Sequence, residues 1–469
     1  MPASALRKLL LKLDALDSVQ GIVILRDGQV VCQANWAPFD LETKRVLHSL
    51  SKSFVSLAIG FAQQERRLKV TDKLVDFFPE YAGEVTDEKM RDVTLEHLLT
   101  MTSGHQLCAM SFLSGRKDGN WERGFLASGL DFEPGTHFTY NSAATYMLAA
   151  VIKRMTGENP REYLMPRLFD PLDITPGLWE CSATGVNCGG WGLMLSTTDL
   201  AKVVHCLCAN GMHRGRQLIP ADYLATATRK HSDNSGNGAP DWCCGYGYQF
   251  WCSQHGYRGD GASGQYMLVI PEYRLGVAMN ASIPNMQEVL SYFWDFLPEI
   301  SSGPLPQNPE EDSRLQELIE GFRYRALLNG LSTPGVSPAI LHQQYQRGAT
   351  LCRLDVSSRE CTLTFQKQGG LQESERKDHG WRHQEQLRAS LVNPSGCSSW
   401  LLLDDDRPHL YHATAHWKDP HTLLITAVSQ DTGWHDFYTV TTGPEGAVAR
   451  QSRFVLPFRC NHLVWPDFH

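Results

Sequence analysis

Three groups of residues in this chain could carry chemistry. The first is Ser49-Leu50-Ser51-Lys52. On a helix, Ser49 and Lys52 stand at i and i+3 and share a face. The lysine can then take or steer the serine proton, which makes an activated nucleophile. A helix N-terminus at that point also favours the negative charge that develops during attack. Taken alone, the same residues fit an N-capping serine beside a solvated lysine equally well. The second group is Tyr140, Asn141 and Ser142, just ahead of an apolar stretch. A tyrosine held beside a lysine can have its phenol pKa lowered and serve as a general base. Otherwise it is a core aromatic at a helix start. The third group is Gly259, Asp260, Gly261 and Ala262. Glycines there let a substrate lie close against backbone, and an adjacent N–H can donate to an oxyanion. The plainer alternative is a glycine-rich turn between strands.

Periodicity places these groups on elements. Leu6, Leu9, Leu10, Leu13 and Leu16 recur at helical spacing, so the chain opens with an amphipathic helix. Apolar runs at 23–25 and 30–32 flank Asp27 and Gly28, a strong hairpin signal because both turn positions want positive φ. Helices are expected over 48–65, 95–102, 143–156, 198–210 and 284–296. Two strands are expected between 264 and 282, joined by Pro271, Glu272 and Tyr273. The segment 301–312 is rich in proline, serine and acid and reads as a linker. A short helix is expected over 315–328. Short apolar runs from 345 onward, separated by Gly, Asp, Pro and Asn, indicate a small antiparallel β domain, either barrel or sandwich. The expected division is a first domain over 1–303, a linker over 304–314 and a β-rich domain over 315–469.

Composition excludes several classes. The chain has 469 residues, 42% hydrophobic and 20% charged, which suits a globular protein of about two to four domains. Its net charge is -8 and it has no long Lys/Arg run, so nucleic acid is not an expected partner. The longest apolar run, 146–152, is far short of the roughly 20 residues of a membrane-spanning helix. The first residues lack a signal-peptide cleavage pattern. The 13 cysteines are odd in number, scattered and without a CxxC pair, as expected of reduced thiols in the cytoplasm. His409, His412 and His416 invite a metal reading, but in a strand His409 points away from the other two. No metal and no cofactor are expected. There is no G-x-S-x-G elbow and no P-loop motif.

The order of the three groups resembles that of the serine β-lactamase and penicillin-binding-protein superfamily, which carries Ser-x-x-Lys early and a third motif on a strand edge. Residues 1–300 resemble the class C β-lactamase-related serine hydrolases in particular. VTDKLVDFFPEY, VTLEHLLTMTSG, PGTHFTYNSAATYMLAAVIKRMTG, GGWGLMLSTTDLAK and GYGYQFW carry the likeness. It implies an α+β fold, an antiparallel sheet flanked by helices with a helical lobe, and a site between them. It implies Ser49 as the acylated nucleophile, Lys52 as its proton partner and Tyr140 as general base. The backbone N–H groups of Ser49 and Ala262 would form the oxyanion hole. Ser142, Asn141, Gly259, Asp260 and Gly261 would bind substrate.

Two departures bear on substrate. Ser142 stands where family members often carry Asn, and Gly259 stands where they often carry a cation that grips a β-lactam carboxylate. Unless Arg258 supplies that charge, penicillin turnover is expected to be weak or absent. The expected activity is hydrolysis of an ester, amide or peptide through an acyl-enzyme. An acyltransferase using the same intermediate, and a non-catalytic binding protein on this fold, are the alternatives. Trp191, Tyr246, Tyr248 and Trp251 could line an acyl pocket or belong to the core. The expected partner is a small-molecule or peptide substrate.

Overall fold

A computed structural model describes residues 1–300, 308–324, 344–356, 360–365, 385–390, 398–404, 407–419, 422–432, 435–443 and 446–454. The first sheet has six antiparallel strands. They are β1 (Val19–Arg26), β2 (Gln29–Asn35), β7 (Trp251–Cys252), β8 (Tyr257–Gly261), β9 (Gln265–Ile270) and β10 (Leu275–Ala281), in the order β2-β1-β10-β9-β8-β7. Two small strand pairs lie in sequence between: β3 (Arg45–Val46) pairs with β4 (Met194–Leu195), and β5 (Met212–His213) with β6 (Arg216–Gln217).

The strands β9 and β10 are buried at every residue. Continuous burial rather than alternation means that both faces are covered. On one face lie the helices Ala3–Asp14 and Met286–Phe296, whose Leu6, Leu9, Leu10, Leu13, Leu290 and Phe293 pack with Ile22, Ile24, Val277 and Met279. On the other lies the helix Thr197–Cys208, with Val203 and Val204 packed among Val23, Leu25, Val269 and Ala278. Between this face and the helical lobe runs the helix Ser51–Gln64, buried from Ser51 through Ala62. The helix Ser142–Thr156 packs beside it.

The expected hairpin is present. Asp27 and Gly28 have φ of 53° and 74°, and Arg26 pairs with Gln29. The strands around Pro271 are present too, joined by a short 3-10 turn and by Arg274 at φ 48°. The helix expected over 95–102 is shorter, Leu95–Leu99, and Met101 at φ 60° has already left it.

Of the stretch expected to be a linker, 304–307 lies outside the described residues. The remainder begins the helix Pro309–Glu320, which starts earlier than the helix expected over 315–328. Its Leu315, Leu318 and Ile319 pack on the same cluster as the N-terminal helix. Residues 325–328 lie outside the described residues.

The C-terminal region forms one eight-stranded sheet. Its strands are β11 (Gln344–Val356), β12 (Glu360–Phe365), β13 (Glu385–Ser390), β14 (Ser398–Asp404), β15 (Arg407–Asp419), β16 (Thr422–Ser429), β17 (His435–Gly443) and β18 (Gly446–Phe454), in the order β13-β12-β11-β18-β17-β16-β15-β14. A bridge between Ser390 and Thr414 brings β13 against β15, so the sheet curls toward closure. The strands β13, β15 and most of β18 fall outside the apolar runs expected from sequence. The three histidines His409, His412 and His416 all fall in β15, and His412 is buried edge-on against Phe39 at 5.4 Å between ring centroids.

Buried histidines make this fold acid-sensitive. Burial pushes His105, His412 and His435 each down to about 4, from an ordinary value near 6.5. They are neutral when folded, whereas an unfolded chain begins to protonate them near pH 6.5. The unfolded state therefore binds more protons between about pH 6.5 and 4, and stability falls as pH is lowered through that window. Thermal melts across this range should show a steadily falling Tm; a flat Tm from pH 7 to about 4.5 would contradict the assignment.

Candidate active site

The nucleophile candidate sits where a strand becomes a helix. Strand β3 ends at Val46, and a 3-10 turn over His48–Leu50 leads into the helix Ser51–Gln64. His48 has φ 48°, the left-handed region that non-glycine residues rarely adopt. Ser51 locks this turn: its Oγ donates to the His48 carbonyl at 2.7 Å and accepts the Leu193 N–H at 3.1 Å. Ser49 is thus in the turn ahead of the helix, with Lys52 in the first helical turn.

Lys52 is 1% exposed. Its Nζ donates to Ser49 Oγ at 3.0 Å and to the Gly190 carbonyl at 2.7 Å. Gly190 is fixed because a Cβ there would stand 3.0 Å from the Ser142 carbonyl oxygen. Ser142, at the start of the helix Ser142–Thr156, therefore borders the lysine's second partner. The GGWG stretch carries family likeness and Trp191, but the role of the Gly190 carbonyl was not legible because a backbone carbonyl has no side-chain signature.

Tyr140 closes the third side. The Lys52 ammonium lies 4.8 Å from its ring centroid. The ring stacks on Trp251 at 5.4 Å and 23°. The next residue, Asn141, is wholly buried, and its Oδ1 accepts the N–H groups of Ala143 at 3.1 Å and Ala109 at 3.0 Å. Asn141 thus caps the helix and ties down the loop before it. Tyr246 and Trp251 form a buried aromatic tier behind Tyr140 and Phe138, while buried Tyr248 belongs to the main core and Trp191 is half-buried.

Strand β8 brings the third motif alongside. A Cβ at Gly259 would stand 2.6 Å from Ser53 Oγ and Leu50 Cδ1, and one at Gly261 would stand 2.0 Å from the Leu47 carbonyl oxygen. Only glycine allows this strand to approach residues 47–53 so closely. Ala262 follows at the head of the turn to β9, half-buried.

Arg258 does not reach into the cleft. It is wholly buried in the wall, with Nε donating to Asp260 at 2.8 Å. Its Nη1 donates to Ser253 Oγ at 2.7 Å and the Asp241 carbonyl at 3.0 Å. The guanidinium lies 4.4 Å over Trp242. Asp260 is pulled two ways: burial pushes its carboxyl up, while Arg258, Lys52 and the Trp251 indole favour the carboxylate. The ion pair thereby orients the indole on which Tyr140 stacks.

Known proteins share the family and the fold of this chain. Residues 14–291 match the family model described as Beta-lactamase. The 6-aminohexanoate-dimer hydrolase of Paenarthrobacter ureafaciens is 23% identical over 269 residues, which cover 53% of this chain and 69% of that protein. The octameric penicillin-binding protein homologue from Pyrococcus abyssi aligns with a TM-score of 0.51 at 16% identity, covering 96% of this chain and 99% of the other. EstCE1, described as a hydrolase with promiscuous acyltransferase activity, aligns with a TM-score of 0.53 at 18% identity, covering 63% and 99%.

The buried pair yields a prediction. Arg258→Ala leaves Asp260 buried without its guanidinium and should cost about 3–5 kcal/mol. Urea denaturation checks this, with the double variant Arg258→Met/Asp260→Asn expected to lose less than the single one. A single variant within about 0.5 kcal/mol of the parent would mean that the pair is idle.

Proposed function

The chain belongs to the beta-lactamase family, and from that premise we propose that it is a serine hydrolase working through an acyl-enzyme on Ser49. The observation that carries this is Lys52, buried and 3.0 Å from Ser49 Oγ. A nucleophile and its proton acceptor need that spacing.

The steps follow from the residues present. Ser49 Oγ attacks the carbonyl carbon of an ester or amide as its proton passes toward Lys52 and Tyr140. The oxyanion is held by the N–H groups of Ser49 and Ala262, where the helix dipole of Ser51–Gln64 adds to the field. The same pair returns a proton to the leaving alcohol or amine. Water then attacks the acyl-enzyme and frees the acid. Among the substrate-side residues, Ser142 and the edge formed by Gly259, Asp260 and Gly261 border the cleft, and Asn141 acts by fixing the Tyr140 loop.

Arg258 is committed to Asp260, Ser253 and the Asp241 carbonyl, which supports esters, amides or peptides over penicillins as substrates. The likeness to the 6-aminohexanoate-dimer hydrolase of Paenarthrobacter ureafaciens supports a hydrolase. The likeness to EstCE1 favours a second outcome, transfer of the acyl group to an alcohol or amine in place of water. We place the hydrolase unit at 1–303 and a β-rich domain at 315–469. The thiols of Cys32, Cys108, Cys206, Cys208 and Cys252 form no disulfide, which supports a reducing compartment such as the cytoplasm. Among the described residues no helix is long and apolar enough to cross a membrane.

Intact-protein mass after treatment with a fluorophosphonate tests the proposal. One adduct, mapped to Ser49 and absent in Ser49→Ala, is the expected result. Lys52→Ala and Tyr140→Phe should each lower kcat on an activated ester by about 10³-fold or more, since such groups act as a unit. A folded Ser49→Ala protein with full turnover would overturn it.

A further inference from the structure

The backbone that delivers Ser49 is held from both ends of the chain. At β3 successive N–H groups point to opposite sides. The Leu47 N–H goes to the Leu193 carbonyl at 2.8 Å, beside the pairing of β3 with β4. The Val46 N–H goes the other way, to the Asp431 carbonyl at 2.8 Å. Asp431 lies in the turn 429–432 between β16 and β17 of the C-terminal sheet. A residue nearly 400 positions distant thus covers the open edge of the strand three residues before the nucleophile.

The turn is built to hold that carbonyl in place. Ser429 Oγ donates to the Asp431 carboxylate and accepts the Thr432 N–H at 3.2 Å. Gln430, buried, donates from Nε2 to Thr43 Oγ1 at 2.9 Å. Beneath it, Arg45 is 1% exposed and donates to the carbonyls of Asp40 at 2.9 Å and Thr43 at 3.2 Å. Val428 is buried in the cluster that holds Trp36, Phe39, Phe322 and Tyr324. Tyr324 Oη and His435 Nε2 share a hydrogen bond at 3.0 Å. The contact is therefore packed, and the turn cannot shift without disturbing β3.

The demand for such a hold comes from His48. A non-glycine residue in the left-handed region is disfavoured and persists only where the surroundings over-determine it. Relaxing it would rotate Ser49 away from Lys52 and from Ala262.

We propose that the turn 429–432 is a positioning element for the nucleophile: by capping Val46 it holds the strained turn at His48 and so sets Ser49 against Lys52. This rests on Ser49 being the nucleophile. It makes the C-terminal sheet a working part of the catalytic unit, whatever else that sheet binds.

The test uses the full chain. Two glycines inserted between Gln430 and Asp431 displace the carbonyl from Val46. Ser429→Ala and Gln430→Ala loosen the turn, and Ser429→Thr keeps its hydroxyl. The readouts are the rate of fluorophosphonate labelling at Ser49, kcat and KM on a p-nitrophenyl ester, and near-ultraviolet circular dichroism. In the insertion variant, labelling and kcat should fall about tenfold or more, with KM within about twofold and the dichroism unchanged, because small misplacements of reacting groups are costly. Ser429→Ala should fall in the same direction, and Ser429→Thr should keep the wild-type rate. A folded insertion variant that labels at the wild-type rate overturns the proposal, as does a rise in KM with kcat unchanged. Should the insertion variant not fold, wild-type labelling rates in both Ser429→Ala and Gln430→Ala overturn it. Absence of labelling in the wild-type protein overturns the nucleophile assignment itself, and this proposal with it.

Discussion

A buried lysine sets the terms for the rest of the molecule. Lys52 is taken almost wholly out of water, and burying such a polar group is expensive unless it is hydrogen-bonded. Two of its partners are the Ser49 hydroxyl and the Gly190 carbonyl, and the Tyr140 ring lies close by. Those groups come from three distant stretches of chain. Each stretch must therefore be fixed to within a few tenths of an ångström. The glycines at 190, 259 and 261 serve that end, because each sits where a Cβ would strike a neighbouring atom. Asn141 and Ser51 serve it too, one by capping the helix Ser142–Thr156 and the other by bridging His48 to Leu193.

Behind the lysine stands a second charged layer. Arg258 and Asp260 are adjacent in strand β8 but for one glycine, so their side chains leave the same face and can meet. Burying both is tolerable because each has several partners. The guanidinium also lies over Trp242, where the ring face attracts a cation. The pair holds the Trp251 indole, and Trp251 carries Tyr140. An electrostatic contact in the wall thus becomes a steric platform at the site, which is how rigid positioning passes from a strand to a loop residue.

Much of this was legible in sequence, for identifiable reasons. Ser49, Lys52 and Tyr140 stand out through the family resemblance that several motifs carry together, since residue type and spacing alone leave an N-capping serine and a core tyrosine open. The Asp27-Gly28 hairpin follows from a local need for positive φ, which no distant contact can change. The fixed position of Arg258 was not legible, because Asp241 and Ser253 meet it only once the sheet edge has folded. The helix Pro309–Glu320 overlaps the one expected from 315, and its first turns were legible as well. Its proline and acids looked like a linker, yet Pro309 sits at the first helical position, where its missing N–H costs nothing. Glu310, Glu311 and Asp312 suit the helix N-terminus, and Asn308 caps it. The bond from Val46 to Asp431 had no local signal at all, since both of its atoms are backbone.

The locked arginine has a further consequence for chemistry at this site. A cleft that binds a carboxylate needs a donor free to turn toward it. Among the groups facing Lys52, Asp260 is acidic, and the strand positions nearest Ser49 are glycines with only backbone to offer. Recruiting Arg258 would mean abandoning Asp260 in the wall and breaking its bonds to Ser253 and the Asp241 carbonyl. That cost is of the order of a buried ion pair broken on one side, about 3–5 kcal/mol, more than one new surface contact to a carboxylate returns. Substrates that present an uncharged acyl group to strand β8 avoid the cost altogether. The geometry of the wall is therefore the physical ground for proposing uncharged substrates at this cleft.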